Sequence, residues 1–195
     1  MRKNNRHMSN FLDIIGIYLK DYRASFSGRE IARLTNSSPQ STLSYLNKLF
    51  HKNILKIKKE GRNKIYSLNL KELNTQIFLA MVELKKSEEF LNIEELNIIL
   101  ERLLPLAETT IVFGSFAKKR HKNDSDLDLI MLNVKNKKMV LEFAETFPRE
   151  INIEFVTWNQ FKKSFLNNNY LSIEIKKDHL VYGNSLKLVQ IYCEK

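Results

Sequence analysis

The sequence predicts an α+β protein of two domains: a small, basic helical domain that ends in a β-hairpin, and a domain with helices around a short mixed sheet. Three observations lead to this prediction. Apolar residues recur at helical spacing in the first part, whereas short apolar runs alternate with helices in the second. Residues 1–70 hold 14 Lys/Arg against 4 Asp/Glu, and residues 71–195 hold 18 of each. A Gly-Ser pair and an Asp-x-Asp triplet, ten residues apart, stand at the ends of two apolar runs.

Composition limits the class of protein. The chain has 195 residues, of which 43% are hydrophobic and 10% aromatic, and is long enough for two domains with apolar cores. Its one cysteine, Cys193, excludes an intramolecular disulfide and fits a reducing compartment. The apolar run at 11–19 is too short to span a bilayer and includes Asp13, and no signal-peptide cleavage site follows it. We therefore expect a cytoplasmic protein with no membrane partner.

The first domain, residues 1–70, is predicted to contain three helices. Apolar spacing indicates the first, over 10–22. Ser27 and Glu30 form the pattern of a capping box and start a short helix over 28–34. Ser38-Pro39 starts the third helix, which runs to about residue 53. Six apolar residues of the second and third helices are expected to face the core: Ile31, Leu34, Leu43, Leu46, Leu49 and Phe50.

The opposite face of the third helix carries polar or basic side chains, and a hairpin follows this helix. The face comprises Gln40, Ser41, Ser44, Tyr45 and Lys48. Apolar residues at 54–59 and 64–68 indicate two strands around a glycine turn, with Arg62 at the tip. This order of elements, over residues 8–70, resembles the winged helix-turn-helix domains of MarR/ArsR-like regulators.

That resemblance implies double-stranded DNA as a partner. The polar face would lie in a major groove, and Arg62 would reach a phosphate or the minor groove. The concentration of positive charge supports this partner, because DNA is a polyanion. Two alternatives stay open: the domain could be a protein–protein module with a solvated basic face, and Tyr45 could be a packing residue at the helix edge.

Residues 71–92 are predicted to form a linker helix with a broad apolar surface. The helical pattern extends from 70 to 91 without glycine or proline. Such a surface can pair with a second copy of the chain, and the resulting homodimer would match a palindromic DNA site. Packing on the chain's own domains is the equal alternative.

The second domain, residues 93–195, is predicted to alternate helices and strands. Helices are expected at 93–104 and 137–147, and again after the last strand. Strands are expected at 109–113, 126–133 and 151–157. This mixed order fits a small α+β core with a short sheet.

Candidate functional residues stand at the ends of two predicted strands and in the middle of a third. Gly114-Ser115 ends one strand and offers backbone N–H groups and a hydroxyl to a polyphosphate. Asp126 and Asp128 begin the next strand and share a face, so both carboxylates can hold Mg²⁺. Glu154 stands between apolar neighbours on a third strand, where an unpaired carboxylate is costly to bury. Taken singly, the aspartates also fit a solvated strand end or a structural cation site, and Glu154 a solvent-facing side chain.

The combination of Gly-Ser, ten residues and Asp-x-Asp resembles the signature of the DNA polymerase beta-like nucleotidyltransferases, in particular their minimal branch. The tail at 171–183 also resembles the end of such domains. The resemblance implies catalytic and metal-binding roles on two Mg²⁺ ions for Asp126, Asp128 and Glu154. It further implies that a nucleoside triphosphate, expected to be ATP, is bound by Gly114, Ser115 and Lys118.

Two residues depart from the family pattern: Lys119 stands where members often have glycine, and Glu154 where many have aspartate. The leading interpretation is a DNA-binding nucleotidyltransferase that transfers AMP from ATP to a hydroxyl, for which an antitoxin acting on a HEPN-type toxin is one role. The alternative is a transcription regulator whose second domain only senses nucleotide. A transferase acting on a small-molecule hydroxyl is the weakest, because no extra domain for a small acceptor is visible.

Overall fold

The computed structural model describes residues 10–122, 124–167 and 169–194. The remaining residues of the two predicted domains, 1–9 in the first and 123, 168 and 195 in the second, lie outside this description. The chain divides into two compact units after Val82, inside a helix (Leu73–Glu88) and within the segment predicted as the linker. Both units combine helices with a small sheet, which confirms the predicted α+β class.

Unit 1 combines short helices with a three-stranded antiparallel sheet of order β1-β3-β2. Its described elements are α1 (10–16), β1 (Ser25–Ser27), α2 (Gly28–Leu34), α3 (Pro39–His51), β2 (Leu55–Glu60), β3 (Asn63–Leu68) and the first part of α4 (Leu73–Glu88). The β2–β3 hairpin was predicted. Strand β1 was not, because three residues are too few to show an alternating pattern.

The first helix is shorter than predicted, since α1 ends at residue 16 and not at residue 22. The N–H groups of Tyr18 and Leu19 donate to the carbonyl oxygens of Ile15 and Gly16, at 3.1 and 3.2 Å. Bonds to the third preceding residue form turns rather than α-helix. Phe11, Ile14, Ile15 and Tyr18 of the apolar pattern are buried, so the pattern identified core positions although it did not give the helix length.

Both predicted helix starts are confirmed. Glu30 N–H donates to Ser27 Oγ at 3.3 Å, and Ser27 N–H donates to a Glu30 carboxylate oxygen at 2.7 Å, which completes the capping box. Ser38 Oγ accepts from Ser41 N–H at 3.2 Å, with Pro39 in the first turn. These caps fix where α2 and α3 begin.

Half of the predicted core positions on α2 and α3 are wrong. Ile31, Leu46 and Leu49 are buried, whereas Leu34, Leu43 and Phe50 are 50%, 47% and 43% exposed. The buried arc of α3 also includes Thr42, whose hydroxyl donates to the Ser38 carbonyl at 3.0 Å. Because that bond satisfies the hydroxyl, threonine can occupy the core, and the arc shifts away from Leu43 and Phe50.

Unit 2 has a four-stranded mixed sheet of order β6-β5-β4-β7, in which only β5 and β6 are parallel. After the end of α4, its described elements are α5 (Glu94–Leu103), β4 (Thr109–Phe113), α6 (Gly114–Ala117), β5 (Leu127–Leu132), α7 (Lys137–Glu145), β6 (Ile151–Val156), α8 (Trp158–Leu166), α9 (Tyr170–Lys177), β7 (Leu180–Gly183) and α10 (Ser185–Cys193). The predicted short mixed sheet is confirmed. Strand β7 was missed, because it is a four-residue run directly after a helix.

The two faces of this sheet differ. Leu127, Leu129 and Met131 of β5 are fully buried in a core that also includes residues of α5, α6 and α7. Because side chains alternate along a strand, Asp128 and Ile130 lie on the other face. Asp128 therefore occupies the face opposite this core, as does Glu154, the register partner of Ile130 on β6, whereas Asp126 precedes the strand.

Four apolar side chains of α4 remain exposed, at spacings of a single helix stripe: Leu73, Ile77, Met81 and Leu84. They are 55%, 38%, 38% and 42% exposed, respectively. Among the described residues, these four side chains keep contact with solvent, and a dimer through this helix stays a prediction. In the part of the chain that the structure describes, no helix is both long and apolar enough to cross a lipid bilayer.

Truncating two leucines of α3 tests the corrected core. Leu46→Ala is expected to lower the free energy of unfolding of unit 1 by about 2–5 kcal/mol, because it leaves a cavity in a packed core. Leu43→Ala is the matched control and should cost under about 1 kcal/mol, because Leu43 already contacts solvent. Urea unfolding followed by circular dichroism measures both. Equal losses would show that α3 buries the predicted arc after all.

Candidate active site

The Gly-Ser turn and the second aspartate meet at the ends of two paired strands. Phe113 of β4 pairs in register with Asp128 of β5, so Gly114 follows directly beside this carboxylate. Gly114 has a φ of 70°, and a Cβ added to it would lie 2.1 Å from Asp128 Oδ2. Glycine is therefore required twice, by its left-handed backbone and by the close approach of the carboxylate.

The two aspartates differ in their surroundings. Asp126 precedes β5 and is exposed, whereas Asp128 is half-buried within the strand. Asn152 is the register partner of Asp128 on β6, and its Nδ2 donates to Asp128 Oδ1 at 3.3 Å. Sequence reasoning missed Asn152. Its position two residues before Glu154, on the same strand face, was the signal that could have found it.

Glu154 lies on β6 beside Ile130, two residues further along the strand than Asn152. It is exposed, as in the solvent-facing alternative, so the expected burial was wrong and gives no reason by itself for a metal or a partner at this carboxylate. Within the residues described, no group of three or more His, Cys, Asp or Glu side chains is close enough to hold a metal ion. The roles of Asp126, Asp128 and Glu154 as a ligand set therefore stay predictions.

A cavity of about 280 Å³ begins at Glu154 and continues between the sheet and the helices α8 and α9. Its lining combines apolar side chains, among them Ile130 and Phe161, with polar ones. Ser164 and Ser172 both line it, and their hydroxyl oxygens are 2.6 Å apart. The cavity has the mixed polarity and size of a small binding pocket, and it lies on the strand face that carries Asp128.

The loop after Gly114-Ser115 is held by ion pairs. Lys118 Nζ is 3.4 Å from a carboxylate oxygen of Glu174, so this predicted phosphate ligand already has an anionic partner. Lys177, and then Lys118, hold the pKa of Glu174 below its ordinary value. Ser115 is half-buried, and its carbonyl oxygen accepts from Arg120 N–H at 3.0 Å.

Lys119 stands where members of the family that the sequence resembles often have glycine, and its backbone conformation is one that glycine adopts readily. Its φ is 54°, a left-handed conformation that costs a side-chain-bearing residue about 1–2 kcal/mol. The Lys119 ammonium lies 3.5 Å from Glu89 and 5.2 Å from the ring centroid of Phe90. These contacts offset part of the backbone strain, so the turn keeps its shape without the glycine.

Arg149 stands between α7 and β6, close to the same loop. Its Nε and Nη2 donate to Glu95 at 2.6 and 2.9 Å, Nη1 donates to the Ser125 carbonyl, and its guanidinium lies 5.2 Å from the ring centroid of Phe116. Hydrogen bonding from Arg149 lowers the pKa of Glu95. Glu95 first, with smaller contributions from Asp124 and Asp126, raises the pKa of Arg149. No pattern in the sequence predicts this cluster.

The predicted DNA-facing residues of unit 1 lie together along α3. Gln40, Ser41, Ser44, Tyr45 and Lys48 line one shallow groove, and all of them except Tyr45 are exposed. Arg62 is exposed at the turn of the β2–β3 hairpin. Sequence reasoning passed over Asn47, which is exposed and follows the same helix face.

Tyr45 fits the packing alternative better than base contact. It is half-buried, its hydroxyl accepts from Asn10 Nδ2 at 2.6 Å, and its ring meets that of Phe11 edge-on at 5.6 Å. The Lys48 ammonium lies 5.3 Å from the Tyr45 ring centroid. Tyr45 therefore packs at the edge of the groove, and its ring holds the exposed Lys48 ammonium in place.

Comparison with known families supports the chemistry expected of unit 2. Residues 94–185 match the family model described as polymerase beta, nucleotidyltransferase. The match covers a little under half of the chain, and it supports a polymerase beta-like nucleotidyltransferase domain there and a nucleotidyltransferase type of activity. Neither the curated proteins nor the solved structures gave a match.

Two glycine substitutions test the contact between Gly114 and Asp128. Gly114→Ala and Gly61→Ala both place a side chain at positive φ, and this backbone strain alone should cost about 1–2 kcal/mol of folding free energy in each. Only at Gly114 would the new Cβ displace a carboxylate, because a Cβ at Gly61 meets no atom within 4 Å. We expect calorimetry to show weakened Mg²⁺-dependent ATP binding for Gly114→Ala alone. Unchanged binding in a folded Gly114→Ala protein would contradict this role of the contact.

Proposed function

We propose that the chain is a DNA-binding nucleotidyltransferase that transfers AMP from ATP to an acceptor hydroxyl. The observation that carries the enzymatic part is the seating of the Asp128 carboxylate against Gly114, at the paired ends of β4 and β5. This contact joins a turn suited to phosphate with a carboxylate suited to a metal, within a domain that matches a nucleotidyltransferase family.

The donor atoms at this sheet edge fit Mg²⁺. Asp126 and Asp128 offer two carboxylates, and the bond from Asn152 Nδ2 orients one of them. Magnesium sites in nucleotide enzymes commonly use one or two carboxylates together with substrate phosphates, so two aspartates are an adequate protein contribution. We assign Mg²⁺ to Asp126 and Asp128, with Glu154 as the third ligand. Two bound ions would stabilise negative charge on the phosphates and activate the attacking oxygen.

The strand order suggests on which side of the β5 aspartates the triphosphate and the acceptor would each bind. In the order β6-β5-β4, the Gly114-Ser115 turn lies on one side of the β5 aspartates and Glu154 lies on the other. In-line displacement needs the attacking oxygen and the leaving pyrophosphate on opposite sides of the reacting phosphorus. We therefore assign the triphosphate to the β4 side, where Ser115 would donate to it and Lys118 could turn from Glu174 towards it.

The acceptor would arrive from the β6 side. A Glu154 carboxylate oxygen would accept the proton of the attacking hydroxyl, a task open to it because the side chain is exposed. The cavity that begins at Glu154 provides room for the group that carries this hydroxyl. A tyrosine of a HEPN-type toxin is the acceptor that the family resemblance favours, and a small-molecule hydroxyl is the weaker alternative.

Unit 1 would bind double-stranded DNA as a winged helix-turn-helix domain. Three features support this part of the proposal: the exposed polar face of α3, the hairpin with Arg62 at its turn, and the excess of positive charge in residues 1–70. The exposed stripe of α4 would join two copies of the chain on a palindromic site. Sedimentation equilibrium that gives only a monomer at tens of micromolar protein would exclude this dimer.

A second candidate is a transcription regulator whose unit 2 binds nucleotide without transferring it. The observation that favours it is that, among described residues, the three predicted ligands do not form a metal-binding cluster. Pairing of Lys118 with Glu174 points in the same direction. Nucleotide binding measured by calorimetry, together with no labelled product from labelled ATP, would favour the regulator over the transferase.

Removing both aspartates separates the two candidates. The protein is incubated with Mg²⁺ and labelled ATP, alone and with host lysate, and the products are analysed for transferred label. We expect Asp126→Ala/Asp128→Ala to abolish transfer while leaving DNA binding and the unfolding midpoint close to wild type, because the change removes clustered negative charge. Transfer that persists in the double variant would refute the site assignment.

Neutralising one lysine of α3 tests the DNA interface. Lys48→Ala should weaken DNA binding and lower the slope of log K against log salt by about one unit, because one phosphate contact is lost. Lys71→Ala is a control of equal charge outside α3 and the hairpin, and it should leave the slope unchanged. Titrations of fluorescent duplex DNA at several salt concentrations give both slopes. Identical slopes for wild type and Lys48→Ala would remove Lys48 from the interface.

A further inference from the structure

We propose that Arg149 is a positioning residue for the Asp126–Asp128 site. The inference rests on the proposed nucleotidyl transfer and adds to it a residue that lies outside the family motif. Arg149 does not need to touch the substrate for this role. It would act by fixing the backbone on both sides of the loop that separates Gly114-Ser115 from Asp126.

The contacts of Arg149 reach both ends of this loop. At the far end, Nη1 donates to the carbonyl of Ser125, the residue before Asp126. At the near end, the guanidinium lies 5.2 Å from the ring centroid of Phe116, the residue after Ser115. One side chain thus contacts the immediate neighbour of a predicted phosphate ligand and the immediate neighbour of a predicted metal ligand. A shift of Arg149 would move the two ligands relative to each other.

Glu95 holds the guanidinium in place. Both carboxylate oxygens of Glu95 accept from Arg149, at 2.6 and 2.9 Å, in the two-bond geometry that arginine forms best. The side chain of Arg149 is only 11% exposed, so the pair is more strongly held than an ion pair on an open surface. Next to it, Leu127 N–H donates to the carbonyl of Glu150 at 2.9 Å, where β5 and β6 begin.

The ion pair with Glu95 also weakens the attraction between the Arg149 charge and the Asp126 carboxylate. An unpaired guanidinium near that aspartate would compete with Mg²⁺ for the carboxylate. Because Glu95 neutralises Arg149, the arginine can orient the loop through its hydrogen bonds while the aspartates remain available to a cation. The arrangement therefore fits positioning of a metal site better than direct binding of an anionic substrate by Arg149.

The test measures metal binding directly. Mn²⁺ is titrated into the full-length protein in the presence of a non-hydrolysable ATP analogue and followed by electron paramagnetic resonance. We expect Arg149→Lys to weaken Mn²⁺ binding about 10–100-fold, the usual effect of removing a group that orients metal ligands. Lysine keeps the charge, but its single nitrogen lacks the planar fork by which three arginine nitrogens reach both Glu95 oxygens and the Ser125 carbonyl. Its unfolding midpoint should stay near wild type.

Two further variants make the result decisive. Arg102→Lys is the matched control, because Arg102 also lies over an aromatic ring, that of Phe143 at 5.9 Å on α7, and no contact from it to the described residues of the loop is observed; its Mn²⁺ binding should not change. Glu95→Gln leaves Arg149 in place and frees its charge, and it should also weaken Mn²⁺ binding. It provides the test if Arg149→Lys fails to fold.

Failure of the positioning role and failure of the proposed nucleotidyl transfer would give different results. Wild-type Mn²⁺ affinity in a folded Arg149→Lys or Glu95→Gln protein would overturn the inference alone and leave nucleotidyl transfer standing. Wild-type protein that binds no Mn²⁺ with nucleotide would overturn the proposed function, and the inference with it. Weakening in both variants with an unchanged Arg102→Lys control would establish the positioning role.

Discussion

The register between Phe113 and Asp128 is the constraint on which the site in unit 2 depends. It brings a carboxylate against a glycine that has no room for a Cβ, and so joins the turn after β4 to the start of β5. A slip by one residue would turn Leu127 or Leu129 out of the core and the aspartates into it. Burial of those leucines therefore fixes the position of the carboxylates on the opposite face of the sheet.

Much of this arrangement could be predicted from the sequence, because it depends on local patterns. Alternation along the predicted strand placed Asp128 on the face opposite the leucines, and capping residues placed the starts of α2 and α3. Leu34, Leu43 and Phe50 could not be assigned correctly, since the buried arc of a helix depends on its neighbours in space. Periodicity identifies an apolar stripe, but tertiary packing decides which edge of it faces solvent.

The partners of the aspartates were beyond sequence reasoning for a different reason. Asn152 reaches Asp128 only because β6 pairs parallel to β5 in one register, and a sequence does not specify register between strands that a helix separates. Arg149, Glu95 and Ser125 come from three separate segments. The sequence around Arg149, which follows Pro148, would look the same whether the side chain were solvated or hydrogen-bonded to a loop.

The lysines of the hairpin in unit 1 also affect how this domain meets other copies of itself, whether or not it binds DNA. In the order β1-β3-β2, strand β2 is an edge strand, and its backbone could pair with a strand of another molecule. Lys56, Lys58 and Lys59 are all exposed on it. A second hairpin approaching this edge would bring like charges together and strip water from the ammonium groups. The same basic residues that would draw the domain to a polyanion thus protect it from aggregating with itself when it is concentrated.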